Sequence, residues 1–557
     1  MPSKPNPLTR GKKQKAMLLL KQGQLQEAGV LLSGICETDR RDAEAWYLLG
    51  AVHQHFGGLT EAQRCYERAV ELEPDNAETY YYLGNVFRNQ GDIEKAADCY
   101  RHAVTIMPDH VEAQCNLGAM YEQQKLYAEA AEHYRKALVL DAGRAELHYN
   151  MGTILQHLGR PSEARQHYRR AIVLNPNLAE AYNNLGNVLD KTTHRGEAET
   201  LYRQAIKLKP DYAEAHYNLG IAFREQGRLD EAITCYRRAL ELVPGYTDVH
   251  INLAFAYLLL GRFKEGWNEY QWRGDCVRPF PPSPWDGSDL KGRDIFLHAE
   301  QGLGDELFFL RFAGRLKARG AGRLSYLPSA KIASLLSRVP VIDALLPPDA
   351  VPQANEFVIS VGDLPQLLGM SNIEEIPPAL PLLPLDERLE TMQRCLTALG
   401  PPPYVGITWR AGMRDKRGVL YKECLKEELA KILQGTHATV LVLQRQPAPG
   451  EIEAFSQALG RPAYDLSELN EDLEQMLALL ALIDDYIGVS NTNMHLRAGA
   501  GKTARVLVPA PPEWRWMAKG KESPWFPGFE VYRQGYDGNW DEAFDMLVID
   551  LKQTHGI

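Results

Sequence analysis

A carboxylate behind a pair of glycines is the first feature of this chain with chemical potential. In HAEQGLGDELFFLR, residues 298–311, Gly302 and Gly304 stand two apart, Asp305 follows, and an apolar-periodic helix starts at Glu306. The preceding run DIFLHA, 294–299, reads as a short strand. Glycine lets a backbone approach a ligand closely, and a helix start presents unpaired N–H groups. In an α/β sheet, ligands sit outside the carboxyl ends of strands, where this turn falls. Taken alone, the glycine pair is better explained by a tight βα turn that holds nothing.

Three later motifs end strands in the same way. VGITWRAGMRDKR, 405–417, runs from a strand closing at Trp409 into a loop with Arg410, Arg414, Lys416 and Arg417. Such a cationic loop suits a diphosphate, because Arg and Lys neutralise its charge; a solvated charge run is the plain alternative. VLVLQR, 440–445, places Gln444 at the end of a buried strand, where its amide could meet a base or ribose. In YIGVSNTNMHLRAGAGK, 486–502, a strand ends at Ser490 and Asn491 or Thr492 caps a helix that runs from Asn493 and carries His495. A helix start after a strand is an anion site, and His495 beside it reads as a ligand residue.

These motifs need βα scaffolding, and the second half has that texture. Strands are expected at 323–327, 356–361, 404–409, 439–443, 485–489 and 505–508. Helices are expected around 329–338, 425–433, 451–459 and 472–482. Proline-rich breaks lie at 276–290 and 377–384. The implied layout is two doubly wound α/β subdomains, 291–388 and 389–557, with a cleft between them. Trp514, Trp516 and Trp525 read either as a ligand platform or as core.

The first half is organised differently. Units of 34 residues start at Ala43, Ala77, Val111, Ala145, Ala179 and Ala213 without a gap. Each carries a Leu-Gly or Met-Gly pair and a second-helix tyrosine: Tyr66, Tyr100, Tyr134, Tyr168, Tyr202 and Tyr236. This pattern is similar to the tetratricopeptide repeat. It predicts an all-α superhelical solenoid in which each unit buries its apolar stripe only against its neighbours. Weaker units flank it, so the array is expected over 9–275, about eight units, with 276–290 as the junction. Asparagine fills the sixth position of five successive units, Asn116, Asn150, Asn184, Asn218 and Asn252. Its poor helix propensity, by up to ~0.7 kcal/mol against Ala, asks for a reason. A column of amides can bind the backbone of an extended peptide. Tolerance at an exposed helix position is the plain alternative.

The βα motifs, with the flanking WDGSDLKGRDIFLHAEQGLGDELFFLRF and VLVPAPPEWRWM, resemble the GT-B glycosyltransferase domains of bacterial tetratricopeptide-repeat proteins. These are related to heptosyltransferases and more distantly to O-GlcNAc transferases, whose repeat domain carries a similar asparagine ladder. The resemblance implies a metal-independent enzyme with a nucleotide sugar as co-substrate and no other cofactor. Asp305 would be the general base toward an acceptor hydroxyl, and His495 would act beside it. The donor would contact Gly302, Gly304, Trp409, Arg410, Arg414, Lys416, Gln444, Asn491, Thr492 and Asn493. Asn491 stands where the family usually has aspartate, which removes a negative charge. The implied acceptor is Ser or Thr of a polypeptide in the repeat groove, such as flagellin or another exported protein. The rival reading is a non-catalytic repeat scaffold or chaperone with a degenerate transferase domain.

Composition sets the outer bounds. The net charge of -10 argues against a nucleic-acid-binding protein. No stretch approaches a membrane span, and the N-terminal apolar run is too short for a signal-peptide core. The expected location is therefore cytoplasmic. The eight cysteines show no CxxC spacing, so neither a metal site nor a disulfide framework is expected. An oligomer formed through the repeat array is left open.

Overall fold

The computed structural model describes residues 7–190, 195–273, 280, 285, 287–299, 302–412 and 422–555. The chain divides into two compact units, Met1–Ala215 and His216–Ile557. The division falls inside the helix Ala213–Glu225, so the last repeats belong to the second unit, upstream of the 276–290 junction read from composition. Most of that junction lies outside the described residues.

The first unit is made of helical hairpins, from Pro7–Lys21 paired with Leu25–Thr38 through Ala179–Asp190 paired with Arg195–Leu208. Several first helices are started by a side-chain cap: Asp42 accepts from the N–H of Ala45 at 3.0 Å, and Asn76 from Thr79 at 3.1 Å. The repeat signature has a steric cause. A Cβ on Gly84, Gly118, Gly152 or Gly186 would sit 2.7, 3.0, 2.6 or 2.5 Å from the ring of Tyr100, Tyr134, Tyr168 or Tyr202. Each ring is buried flat against the glycine of the preceding helix, so the two helices close only if that position lacks a side chain. Each hydroxyl then finds a polar partner, for example Asn85 for Tyr100 at 2.7 Å and Asn187 for Tyr202 at 2.8 Å.

In the second unit the same lock recurs at Gly220 and Tyr236, 2.5 Å. The helices Thr247–Leu259 and Phe263–Tyr270 end the repeat pattern and enter the α/β core. Phe263 and Trp267 pack with Phe309, Trp514 and Trp525, and Leu259 accepts the N–H of Ala518 at 2.9 Å. The three tryptophans 514, 516 and 525 are at most 4 % exposed, which places them in the core rather than on a platform.

Two sheets follow. The first holds β1 (Ile295–His298), β2 (Leu324–Leu327), β3 (Ala344–Leu345) and β4 (Phe357–Ser360) in the order β3-β2-β1-β4, all parallel. The second holds β5 (Tyr404–Thr408), β8 (Thr439–Val442), β9 (Tyr464–Asp465), β10 (Asp485–Val489), β11 (Arg505–Val508), β12 (Glu522–Ser523) and β13 (Phe526–Arg533). Its order is β12-β13-β11-β10-β5-β8-β9, parallel except at the β12–β13 edge. Between them in sequence, β6 (Arg410–Ala411) and β7 (Lys422–Glu423) form a separate antiparallel pair. Among the parallel crossovers of each sheet the chain reverses its direction of travel once, between β1 and β4 and between β5 and β10, and a β12–β13 hairpin closes the second sheet's edge. These are the switch points where an open parallel sheet leaves a crevice at its carboxyl edge.

Some expected elements differ in detail. The helix after the glycines begins at Leu303, not at residue 306, because Gly302 takes φ +93° and turns the chain directly into it. The helix expected over 329–338 is a 3₁₀ turn, Ala330–Ile332, running into the short Ala333–Leu336. The helix Asp386–Leu399 runs through the 388/389 subdomain boundary and packs on Leu473–Leu482, below the second sheet. Among the described residues no helix is long and apolar enough to cross a membrane.

Candidate functional site

The glycine loop and the helix start expected from separate motifs come together. A Cβ on Gly304 would lie 3.0 Å from Cδ2 and 3.2 Å from Nε2 of His495. The loop after β1 therefore meets the helix Thr492–Gly499 after β10, and a side chain at position 304 would press on the imidazole. Asn491 caps that helix, accepting from the N–H of Asn493 at 3.0 Å. Its amide nitrogen donates to Thr408 Oγ1 at 2.9 Å and Tyr486 at 3.0 Å, tying the helix start across the β5–β10 switch point.

His495 keeps part of its ring surface exposed, but its Nδ1 is sealed and has no partner among the described residues. Burial, then the charges of Arg515 and Arg311, hold the imidazole well below its ordinary pKa. The ring is neutral at pH 7, a hydrogen-bonding group rather than a cation.

Asp305 is ion-paired with Arg515, and Arg515 also meets Glu513 at 2.5 Å. Glu513 in turn pairs with Lys422 and accepts from Ser490 Oγ at 3.0 Å. Four charges thus alternate in one chain: Asp305, Arg515, Glu513, Lys422. Burial alone would raise the Glu513 carboxyl; Lys422 and Arg515 overcome it and hold it far below the usual carboxylate range. Burial likewise opposes the Arg515 charge, and Asp305 and Glu513 sustain it. Lys422, Ser490, Glu513 and Trp516 line a cavity of 90 Å³ with the segment 508–511, at the carboxyl ends of β10 and β11.

Beside Asp305, Glu306 is fully buried, accepting from Tyr326 at 2.7 Å and from the Ser329 N–H at 2.9 Å. Burial raises its pKa. It fixes the glycine-loop helix to the end of β2.

Other expected site residues do different work. Trp409 is fully buried, stacks on Phe455 and donates to Glu451 at 2.8 Å. It is core, because its ring points into the second sheet's interior. Gln444 accepts from the N–H groups of Trp409 and Arg410 at 3.1 and 3.0 Å and donates to the carbonyls of Arg410 and Arg445. Both ends of its amide are engaged by the backbone turn. Arg410 pairs with Glu451 and donates to the Gln446 carbonyl at 2.8 Å. Arg414 and Lys416 lie outside the described residues.

The asparagine column is half-buried throughout. In the first unit, Asn116 donates to Asn85 at 3.1 Å and accepts from Arg88 at 3.3 Å, while Asn184 donates to Tyr149 at 3.3 Å. In the second, Asn252 donates to Tyr217 at 3.1 Å. These amides join one repeat to the next, a reason for asparagine that needs no peptide.

Arg515, Glu513 and Lys422 were not singled out from sequence as site residues. The signal available was an ionic pair, Glu513 and Arg515, set inside the aromatic run EWRW.

Tetratricopeptide repeat family models match residues 41–109, 75–141, 109–176, 143–211 and 183–247. A curated relative, Protein FlbA of Caulobacter vibrioides, is 26% identical over 317 residues, 52% of this chain and 52% of its own length. The chain spans about half the length of that relative. Among solved structures, MamA is 32% identical over 29% of this chain and 94% of its own, with a TM-score of 0.28. YrrB, described as a TPR protein with an unusual peptide-binding site, is 25% identical over 33% of this chain and 95% of its own, with a TM-score of 0.30. With the period, the glycine–tyrosine lock and the repeat-family matches in hand, residues 41–247 are tetratricopeptide repeats, followed by a mixed α/β region with parallel sheets.

Proposed function

We propose that the α/β region is a GT-B glycosyltransferase that moves a sugar from a nucleotide donor to Ser or Thr of a polypeptide held by the repeats. An exported protein such as flagellin is the acceptor class suggested by proteins of similar layout. The observation that carries the reading is the meeting of Gly304 with His495. It brings together loops that leave the switch points of two parallel sheets, where such sheets bind ligands.

Asp305 takes the proton of the acceptor hydroxyl as it attacks the anomeric carbon. The start of the helix Thr492–Gly499 and Lys422 face the departing diphosphate, and stabilise charge as it develops. Neutral His495 donates or accepts a hydrogen bond without adding charge.

Asp305→Asn tests the assignment. Donor binding should persist while transfer of labelled sugar to protein falls at least ~100-fold, the scale of a lost general base. Undiminished transfer would remove Asp305 from the mechanism.

The scaffold reading draws on a specific observation too. Arg410 is held by Glu451, and the 90 Å³ cavity is small beside the 300–1,000 Å³ usual for ligand sites. Wild-type protein that folds but transfers no sugar would favour it.

A further inference from the structure

The geometry points to Arg515 as a positioning residue that sets the proton affinity of Asp305, with Glu513 dividing the guanidinium's charge. The inference rests on the sugar-transfer reading only for what the proton affinity is used for; the electrostatics stand without it.

A general base needs a carboxylate that is ionised yet still willing to take a proton. Asp305 is the most exposed of the three: its side chain is 39% accessible, against 7% for Arg515 and 15% for Glu513. Arg515 is anchored from behind. Its guanidinium lies 4.3 Å from the Trp514 ring centroid and 4.6 Å from that of Phe308, with Glu513 at 2.5 Å. It cannot follow Asp305 into solvent, so Asp305 comes to it. Glu513 is itself held on its other oxygen by Lys422 and Ser490.

Other charged groups among the described residues near this pair are arranged differently. His495, across Gly304, is neutral. Glu306, on the same helix, turns the opposite way toward Tyr326 and Ser329. Arg311 lies 4.4 Å from the Phe308 centroid and donates to the carbonyls of Phe308 and Trp525. Tyr270 is near Arg515.

An adjacent cation lowers an aspartate pKa by about 1–3 units, less when the carboxylate is exposed. Losing Arg515 should therefore raise that of Asp305 by about one unit, a tenfold change in the protonated fraction at a fixed pH. Losing the Glu513 charge should act in reverse, since Arg515 is then undivided and a nearby anion is gone.

The test reads Asp305 directly and needs no sugar nucleotide. Full-length protein is labelled with a water-soluble carbodiimide and glycine ethyl ester across pH 3.5–7, and labelling of the peptide carrying Asp305 is quantified by mass spectrometry. The carbodiimide reacts with the protonated carboxyl, so the midpoint reports proton affinity. Arg515→Gln should move the midpoint up by about one pH unit, Glu513→Gln should move it down, and Arg515→Lys should restore most of the wild-type value. Circular dichroism at each pH confirms that the variants are folded. If Arg515→Gln does not fold, the comparison of wild type with Glu513→Gln decides. Unchanged midpoints in folded variants overturn the inference, even if the protein proves to transfer sugar. Shifted midpoints in a protein that transfers none would uphold the electrostatics and defeat the transfer reading alone.

Discussion

Replacing Gly186 by alanine should destabilise the repeats, although alanine is the better helix former. Gly186 lies inside the helix Ala179–Asp190, where alanine would gain up to ~1 kcal/mol from propensity alone. The new Cβ, however, would stand 2.5 Å from Cε1 and 2.9 Å from Cδ1 of Tyr202, a ring only 1% exposed. Relaxed carbon contacts lie near ~3.5–4.0 Å, so ring and helix must separate by about 1 Å. Overpacking of that kind costs about 1–3 kcal/mol, which leaves a net loss of up to about 2 kcal/mol after the propensity gain. Gly34 is the internal control. It lies within the helix Leu25–Thr38 and a Cβ there would meet nothing within 4 Å. Gly34→Ala should stabilise by about 0.5–1 kcal/mol. Urea unfolding of the full chain, followed by helical circular dichroism, should move the midpoint down for Gly186→Ala and up for Gly34→Ala. Adding Tyr202→Leu to Gly186→Ala should cost less than the two single losses together, since the clash is then gone. Shifts of the same sign for both glycines would refute the steric account of the repeat signature.

Two further outcomes follow from the second unit and from the buried histidines. Gln444→Leu leaves the Trp409 and Arg410 N–H groups without their acceptor and should lower stability by about 2–4 kcal/mol; weakened nucleotide binding at unchanged stability would instead restore Gln444 to the ligand site. Acidification should destabilise the protein in two stages. His495, His133, His148 and His167 are all held below their ordinary pKa, chiefly by burial. The unfolded chain therefore takes up protons that the folded one refuses as pH falls below about 6.5. The depressed Glu513 contributes stability above the ordinary carboxylate pKa, and that share is lost as pH falls through about 4.5 toward its folded value. Urea midpoints measured between pH 7.5 and 4 should fall from about 6.5 downward, and His495→Gln should flatten the upper stage; a midpoint that rises on acidification would contradict the assignment.

The repeats were legible because a 34-residue period is a long-range signal written locally: each glycine and its tyrosine sit 16 positions apart in one hairpin. The buried strands were also legible, and 485–489 and 505–508 fall where the apolar runs end. β13 was not, because Pro527 and Gly528 inside FPGFEVYR read as a turn. At the site, the turn that meets His495 could be seen from glycine spacing. The ion chain could not, since Asp305 and Arg515 are 210 residues apart and a pairing at that range leaves no spacing pattern. Gln444 and Trp409 are ambiguous in the sequence for a related reason. A polar or aromatic residue closing a strand serves a ligand or the backbone with the same side chain, and here the unpaired N–H groups of the turn claimed the amide.

The central claim is that the α/β region binds a nucleotide sugar in the crevice around Gly304 and His495. The most direct measurement is the thermal unfolding of the full-length protein with a panel of uridine, guanosine, thymidine and cytidine sugar nucleotides at millimolar concentration, beside Gly304→Val. A donor present at 100 times its Kd would stabilise the folded state by ~2.7 kcal/mol. The account predicts such a shift with one nucleotide class, abolished when the valine fills the space against His495. A panel that leaves the melting temperature of folded wild-type protein unmoved, or a shift that Gly304→Val retains in full, would contradict it.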